Sequence, residues 1–198
     1  MQDGLLDRAR HGDIPALGEL LAQYRSYLKV LARVQIGTRL QGKVGSSDVV
    51  QEAFAEAHRN LGLFRGNTEG EFGAWLRQIL ATRLALLFRH YLGTRGRDVR
   101  LERELAVQVD RSSLVMDQAL VAMDASPSQR AVHREQSLLL ADALDRLPEH
   151  YREVIVLRHM KGMSFTEIAK SMGRSDDSVQ KLWVRGLAEL RRHMRDDE

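Results

Sequence analysis

The sequence of 198 residues contains no cysteine. Disulfide bridges, thiol nucleophiles and cysteine-ligated zinc sites are therefore excluded. The composition suits a reducing compartment, so we expect a cytoplasmic protein. Long apolar runs are also missing, since the longest, residues 84–88, is far too short to cross a bilayer. Residues 1–11 carry charged side chains and no apolar segment, unlike a secretory signal peptide.

Proline and glycine are sparse, with 3 and 15 residues, and the apolar–polar alternation of β-strands is absent. Apolar residues instead recur every three or four positions along most of the chain, which predicts an all-α fold. We expect helices over about residues 14–36, from Ser46 or Ser47 onward, and over residues 71–92. The third is apolar around most of its circumference and should lie centrally in a bundle.

The helical pattern weakens between residues 104 and 137. Ser112–Ser113 and Ser126–Pro127–Ser128 are typical of a linker, and a short helix over residues 114–123 is the most that we expect there. The sequence therefore predicts two small helical domains, residues 1–95 and 136–198, joined by a flexible linker over residues 96–135.

The C-terminal domain carries the pattern of a helix-turn-helix. Ser164 and Glu167 form a capping box that begins one short helix. A small residue, a turn glycine and an aliphatic anchor follow at the spacing that a two-helix corner needs. They are Ala169, Gly173 and Val179. Either Ser175 or Asp176 would cap the second helix.

The second helix of such a corner reads base edges in the major groove with its N-terminal residues. We expect its outward, DNA-contacting residues to be Ser175, Asp177, Ser178, Gln180, Lys181 and Arg185. An ordinary solvated helix face is the alternative explanation of these charges. The carboxylates of Asp176 and Asp177 repel phosphate, so this domain alone should bind DNA weakly and need tethering by a partner.

Three blocks of sequence resemble the sigma factors of bacterial RNA polymerase. Residues 147–155 with Gly162-Met163-Ser164 and Glu167-Ile168-Ala169 resemble their C-terminal DNA-binding region. Residues 48–54 look like their polymerase-binding helix, and residues 72–76 like the start of the helix that engages the −10 promoter element. The short length of the chain resembles that of the extracytoplasmic-function (ECF) group of sigma factors.

The resemblance implies a protein without catalytic activity or cofactor that binds core RNA polymerase and both double-stranded and locally melted promoter DNA. An anti-sigma factor would be a further partner. The implied polymerase-binding residues are Asp48, Gln51, Glu52 and Phe54. Residues 64–70 would form the loop that receives a flipped −10 base, and the implied −10 contacts are Arg65, Asn67, Arg77, Gln78, Arg83 and Arg89. The second helix of the corner would read the −35 element.

Some positions depart from the family's pattern. Many ECF members carry Asn and Asp on the third helix where this chain has Thr82 and Leu86, so the −10 sequence should not be copied from relatives. We expect Trp75 to lie in the core with Phe72 rather than to stack on a base. Trp183 adds bulk to the recognition helix, which we expect to serve packing.

Two other functions fit less well. A LuxR-type transcription regulator shares the helix-turn-helix pattern, but such proteins usually add a domain with strands, which residues 1–95 do not predict. An enzyme would need a nucleophile motif, a phosphate loop or a metal site, and the seven scattered histidines have no metal-ligand spacing. We expect His150 and His159 to be surface residues of one helix.

Overall fold

The computed structural model describes residues 4–37, 44–92, 99–121 and 130–196, and every regular element in these ranges is helical. The α-helices are α1 (Leu5–Arg10), α2 (Ile14–Gln23), α3 (Arg25–Ile36), α4 (Ser46–Asn60), α5 (Glu69–Leu92), α6 (Val99–Val121), α7 (Arg130–Arg146), α8 (Glu149–Ile155), α9 (Phe165–Met172) and α10 (Asp176–Asp196). A 3₁₀ turn, Leu61–Leu63, follows α4, and a π-helical stretch, Val156–Met160, follows α8. The predicted all-α class is confirmed.

The chain forms two compact units, Met1–Arg111 and Ser112–Glu198. No strand occurs in the described part of the first unit, which a receiver or ligand-binding domain of a LuxR-type regulator would contain. None of the described helices has both the length and the hydropathy that a bilayer-spanning helix requires.

The first unit begins with α1, which the sequence did not predict, and continues with two helices where one was expected. Asp13 caps α2 by accepting a hydrogen bond from the Ala16 amide at 3.0 Å. The break falls at Tyr24, whose amide bonds to the Leu21 carbonyl while its buried hydroxyl donates to the Glu69 carbonyl at 2.8 Å. Apolar periodicity continues on both sides of Tyr24 and therefore does not show the break.

Helix α5 lies at the centre of the first unit, as predicted. Leu76, Leu80 and Leu84 are fully buried, and α5 packs against both α3 and α4. Gly73 allows close packing, because a Cβ atom there would lie 3.0 Å from the ring of Tyr24. This core holds the outer faces of α4 and α5 in a fixed relation.

Helix α6 is much longer than the short helix expected over residues 114–123, and it occupies much of the predicted linker. Its residues up to Arg111 belong to the first unit, where Leu105 and Val109 are buried. From Ser112 onward it belongs to the second unit, where Met116 is buried. Ser112 and Ser113 are themselves buried, so these serines are helix residues and not a linker signal.

Candidate nucleic-acid interface

The corner between α9 and α10 has the predicted geometry. The Ser164 hydroxyl accepts a hydrogen bond from the Glu167 amide at 3.3 Å, and the Glu167 carboxylate accepts from the Ser164 amide at 2.8 Å. Bonds from the Ser164 hydroxyl and amide lower the pKa of Glu167. Gly173 ends α9 in the left-handed region, with φ 63° and ψ 38°, which glycine adopts without strain. Ala169 and Val179 are buried, so the predicted corner is confirmed.

Two polar contacts fix the start of α10. The Ser175 hydroxyl accepts a hydrogen bond from the Ser178 amide at 3.3 Å, so Ser175 rather than Asp176 caps the helix. Asp176 instead accepts a hydrogen bond at 2.6 Å from the hydroxyl of Thr166 on α9. The first turn of α10 is therefore tied to α9 through a side-chain carboxylate.

A cluster of rings supports α10 from behind. Trp183 lies edge-on to Phe165, with ring centroids 5.5 Å apart, and nearly parallel to His159 at 6.0 Å. The guanidinium of Arg158 lies over the Phe165 ring, 4.8 Å from its centroid. This agrees with a packing role for Trp183. His150 on α8 and His159 on the π-helical stretch that directly continues it are both exposed, as predicted, and His159 also contacts α10.

The exposed face of α10 brings together most of the predicted −35 residues. Gln180, Lys181 and Arg185 are exposed, and the Lys181 ammonium pairs with Asp177 at 2.7 Å. Ser178 is half-buried and Ser175 serves as the cap. Spacings of three and four residues place these outward side chains on one side of the helix.

Val184 belongs to the same face and was missed from the sequence. Its side chain is 58% exposed, between the turns that carry Lys181 and Arg185. A valine in a helical pattern is ordinarily assigned to the core, so only its position relative to buried Val179 and Gly186 could have shown that it points outward.

The predicted −10 residues on α5 divide into two groups. Gln78 is exposed and Arg89 half-buried, on the side of the helix that also carries Thr82 and the 38%-exposed Leu86. Arg77 instead donates to Asp110 of α6 at 2.6 Å and to the Tyr27 hydroxyl at 3.3 Å.

Arg83 is likewise bonded within the protein, to Glu56 of α4. Only about a fifth of each of the Arg77 and Arg83 side chains is exposed. These two cations therefore face neighbouring helices of the first unit.

The loop before α5 is held rigidly by local contacts. Phe64 is buried against Phe72 and Trp75, at centroid distances of 5.5 and 5.3 Å. Half-buried Trp75 thus belongs to the aromatic core, as predicted. The Glu71 carboxylate accepts hydrogen bonds from the Asn67 and Thr68 amides, both at 2.9 Å. Those bonds, with one from the Thr68 hydroxyl, lower the pKa of Glu71.

The predicted base-contacting residues of this loop lie at its surface. Arg65 and Asn67 are exposed. The side-chain oxygen of Asn67 accepts a hydrogen bond from Arg10 of α1 at 2.8 Å, which leaves the amide donors of Asn67 directed elsewhere. The loop thus presents one cation and one oriented amide.

The predicted polymerase-binding residues are not equivalent. Asp48, Gln51 and Glu52 are exposed on α4 and form a polar, acidic surface. Phe54 is half-buried on another side of the helix, with the Arg25 guanidinium 5.4 Å from its ring centroid. The exposed polar face and the covered aromatic face of α4 are therefore distinct.

Comparison with known proteins identifies the second unit most directly. Residues 137–190 match the family model "Sigma-70, region 4". The matched residues include α9, the turn at Gly173 and α10 as far as Leu190.

Similarity to curated relatives extends over nearly the whole chain. The ECF RNA polymerase sigma factor BldN of Streptomyces coelicolor is 28% identical over 98% of this chain, which spans 66% of that protein's length. The ECF RNA polymerase sigma-E factor of Haemophilus influenzae is 29% identical over 85% of this chain and 82% of its own length. The ECF RNA polymerase sigma factor SigW of Bacillus subtilis is 28% identical over 96% of this chain and 95% of its own length. The solved RsbN–BldN complex matches 94% of this chain at 25% identity with a TM-score of 0.33.

Independent signals therefore coincide in one chain. The region 4 match covers the recognition corner, and the similarity to ECF sigma factors includes the helices that carry the acidic face and the aromatic loop. The second unit therefore matches sigma-70 region 4, and the chain as a whole is similar to ECF RNA polymerase sigma factors.

Proposed function

We propose that this chain binds core RNA polymerase and directs it to promoters by reading a −35 element with α10 and a −10 element with the first unit. The exposed face of α10 carries the proposal: Gln180, Lys181 and Arg185 project together from a helix that the corner holds firmly. Amide and cationic side chains at the start of such a helix can recognise adenine and guanine edges and phosphates.

The −10 element is read by the loop of residues 64–70 and the adjoining side of α5. Arg65 and Asn67 contact a base extruded from the melted strand, and Gln78 and Arg89 contact its backbone. Extrusion of a base costs a few kcal/mol. The rigid aromatic and carboxylate contacts under the loop support this role, because a preformed site adds no ordering cost at the moment of binding.

The exposed acidic face of α4 docks on core polymerase through Asp48, Gln51 and Glu52. Phe54 contributes indirectly, through its packing under Arg25. Tethering matters because Asp176 and Asp177 repel phosphate at the start of α10. Once polymerase holds the first unit, binding of the second becomes intramolecular, and a weak DNA affinity suffices.

The chain acts by binding and not by catalysis, and it acts in the cytoplasm, where polymerase and promoter DNA meet. An anti-sigma factor is a further partner. The division into residues 1–95, 96–135 and 136–198 stays our working assignment of a −10 domain, a linker and a −35 domain. The contacts of α6 favour extending the first of these through Arg111.

Run-off transcription with purified core polymerase and a genomic promoter library tests the proposal. Specific start sites should depend on this protein, and their absence would overturn the assignment. A variant with alanine at Gln180, Lys181 and Arg185 should lose −35 selection and still co-elute with core polymerase. Loss of co-elution instead would mean that the roles of the two units are exchanged.

A further inference from the structure

Glu56 joins α4 to α5 through several hydrogen bonds. One carboxylate oxygen accepts from Arg59 at 2.6 Å and also from Arg83 of α5. The other accepts from the side-chain Nδ2 of Asn60 at 2.5 Å. The hydrogen bond from Arg59, together with the charges of Arg83 and Arg59, lowers the pKa of Glu56, so it is ionised at neutral pH.

The partner on α5 is poorly placed for DNA. The Arg83 side chain is 21% exposed and that of Glu56 26%, whereas Arg59 at 61% is a surface residue. The Nε atom of Arg83 is buried and makes no hydrogen bond. The interaction with Glu56 is therefore the main compensation for a partly desolvated guanidinium, and a cation left in such a place without its counter-charge is costly.

The position of the pair links two proposed binding surfaces. Glu56 lies one helical turn after Glu52, at the edge of the acidic face of α4. Arg83 adjoins Thr82, on the edge of the α5 side that carries Gln78 and Leu86. A charge pair at this point fixes the angular and axial position of one surface relative to the other.

We infer that Glu56 and Arg83 are positioning residues that couple polymerase docking on α4 to the placement of α5 against the melting −10 DNA. This inference rests on the proposed function. Arg83 acts through Glu56 and does not touch the promoter, in contrast to the role that the family resemblance implies for it. Removing either partner disturbs promoter opening while leaving the affinity for core polymerase in place.

Glu56→Gln distinguishes this role from direct DNA contact, because only the positioning role predicts slower promoter opening. The substitution keeps the size, removes the charge and replaces one of the two accepting oxygens with an NH2 donor. If Arg83 positions α5, open-complex formation should slow by about three- to tenfold, which lies in the lower part of the range of couplings between contacting residues in one network. If Arg83 binds phosphate, losing its intramolecular competitor should leave opening unchanged or make it faster.

The experiment uses the full chain with core polymerase on one responsive promoter, with permanganate reactivity of −10 thymines as the readout of opening. Arg83→Gln should reproduce the effect of Glu56→Gln, and the double variant should be no slower than either single one. Arg83→Lys, which keeps the charge, should recover part of the rate. Glu19→Gln, an exposed substitution on α2 with the same charge change, is the matched control.

Core affinity is measured in parallel and should stay within about twofold of the unsubstituted protein. Circular dichroism at the assay temperature establishes that each variant is folded. If Arg83→Gln does not fold, Arg83→Lys serves as the milder test. If Glu56→Gln opens the promoter at or above the rate of the unsubstituted protein, the inference is overturned. A slope of log promoter-binding affinity against log salt concentration that falls in magnitude by about 1 in Arg83→Gln also overturns it, because Arg83 would then contact a phosphate. A wild-type chain that directs no transcription would instead refute the proposed function itself.

Discussion

The indole Nε1 of Trp183 donates a hydrogen bond to Nε2 of His159 at 3.0 Å. An imidazole that accepts through Nε2 must be neutral, with its proton on Nδ1. Burial, followed by the charge of neighbouring Arg158, lowers the pKa of His159 below 6.5. The recognition helix is thus joined to the π-helical stretch by a contact that exists only while His159 is unprotonated.

This contact should make the second unit less stable in mild acid. Because the pKa of His159 is lower in the folded protein, the unfolded chain binds more protons at pH values just below 6.5. The contribution of neutral His159 to the free energy of unfolding is complete above pH 6.5 and is lost as the pH falls through the folded-state pKa. Thermal melting at about pH 7.5 and about pH 5.5 should show this loss, since histidine titrates between them.

The matched variant for this pH dependence is His159→Gln, whose amide oxygen can still accept from the indole but does not titrate. It should lose part of the difference between the two melting temperatures. An unchanged difference would assign the acid sensitivity to other groups.

A methyl group at position 66 should destabilise the loop of residues 64–70. The Cβ of an alanine there would lie 2.5 Å from Cζ of Phe64 and 2.8 Å from Cβ of Glu71. The Phe64 ring cannot retreat, because it is buried against Trp75 and its neighbours. We expect Gly66→Ala to lower the free energy of unfolding by about 1–3 kcal/mol.

Urea denaturation measures this change, and Gly62→Ala is its control. An added Cβ at position 62 meets no atom within 4 Å, so its effect should stay within about 0.5 kcal/mol. Equal stability of the two variants would show that the loop adapts and is not rigid.

Local patterns in the sequence predicted the corner well. The capping box of Ser164 and Glu167 and the left-handed Gly173 depend on residues within a few positions of each other, so the sequence contains all the information that they need. The all-helical class follows in the same way from apolar spacing. Features that depend on near neighbours are therefore the ones most safely inferred from one chain.

Features set by distant partners were not predictable. Arg83 looks like any basic residue on a helix until Glu56, 27 positions earlier, is placed beside it. Ser112 resembles a linker residue until the helix around it is seen to be buried. In these cases tertiary packing, which periodicity does not encode, decided the environment of a polar side chain.

Val184 should contribute to −35 sequence preference through apolar contact with a thymine methyl group. Val184 is exposed among polar neighbours on the outward side of α10, so it does not contribute to the core of the second unit. Burying one methyl-sized group contributes ~0.8 kcal/mol, or about fourfold in affinity. Replacing each −35 thymine in turn by deoxyuridine, which lacks that methyl group, should weaken promoter binding at one position by about this factor.

The corresponding variant is Val184→Ala, which should be insensitive to the same deoxyuridine replacement while melting at the temperature of the unsubstituted protein. A wild-type protein that tolerates deoxyuridine at every −35 position would remove Val184 from the reading surface.

The two aspartates that open α10 should respond differently to the same loss of charge. Asp177 pairs with Lys181 at 2.7 Å on the exposed face, whereas Asp176 accepts a hydrogen bond from the Thr166 hydroxyl and ties α10 to α9. Asp177→Asn therefore removes a repulsion from phosphate and also releases a cation. Asp176→Asn removes a similar repulsion but weakens a contact within the corner.

We expect Asp177→Asn to bind −35 DNA more tightly, with a salt-dependence slope steeper by about 1, because Lys181 becomes free to neutralise one more phosphate. Asp176→Asn should gain less affinity, keep its slope and melt at a lower temperature. Fluorescence anisotropy over a range of salt concentrations measures both. If the two variants share one slope, the Asp177–Lys181 pair does not restrain DNA binding.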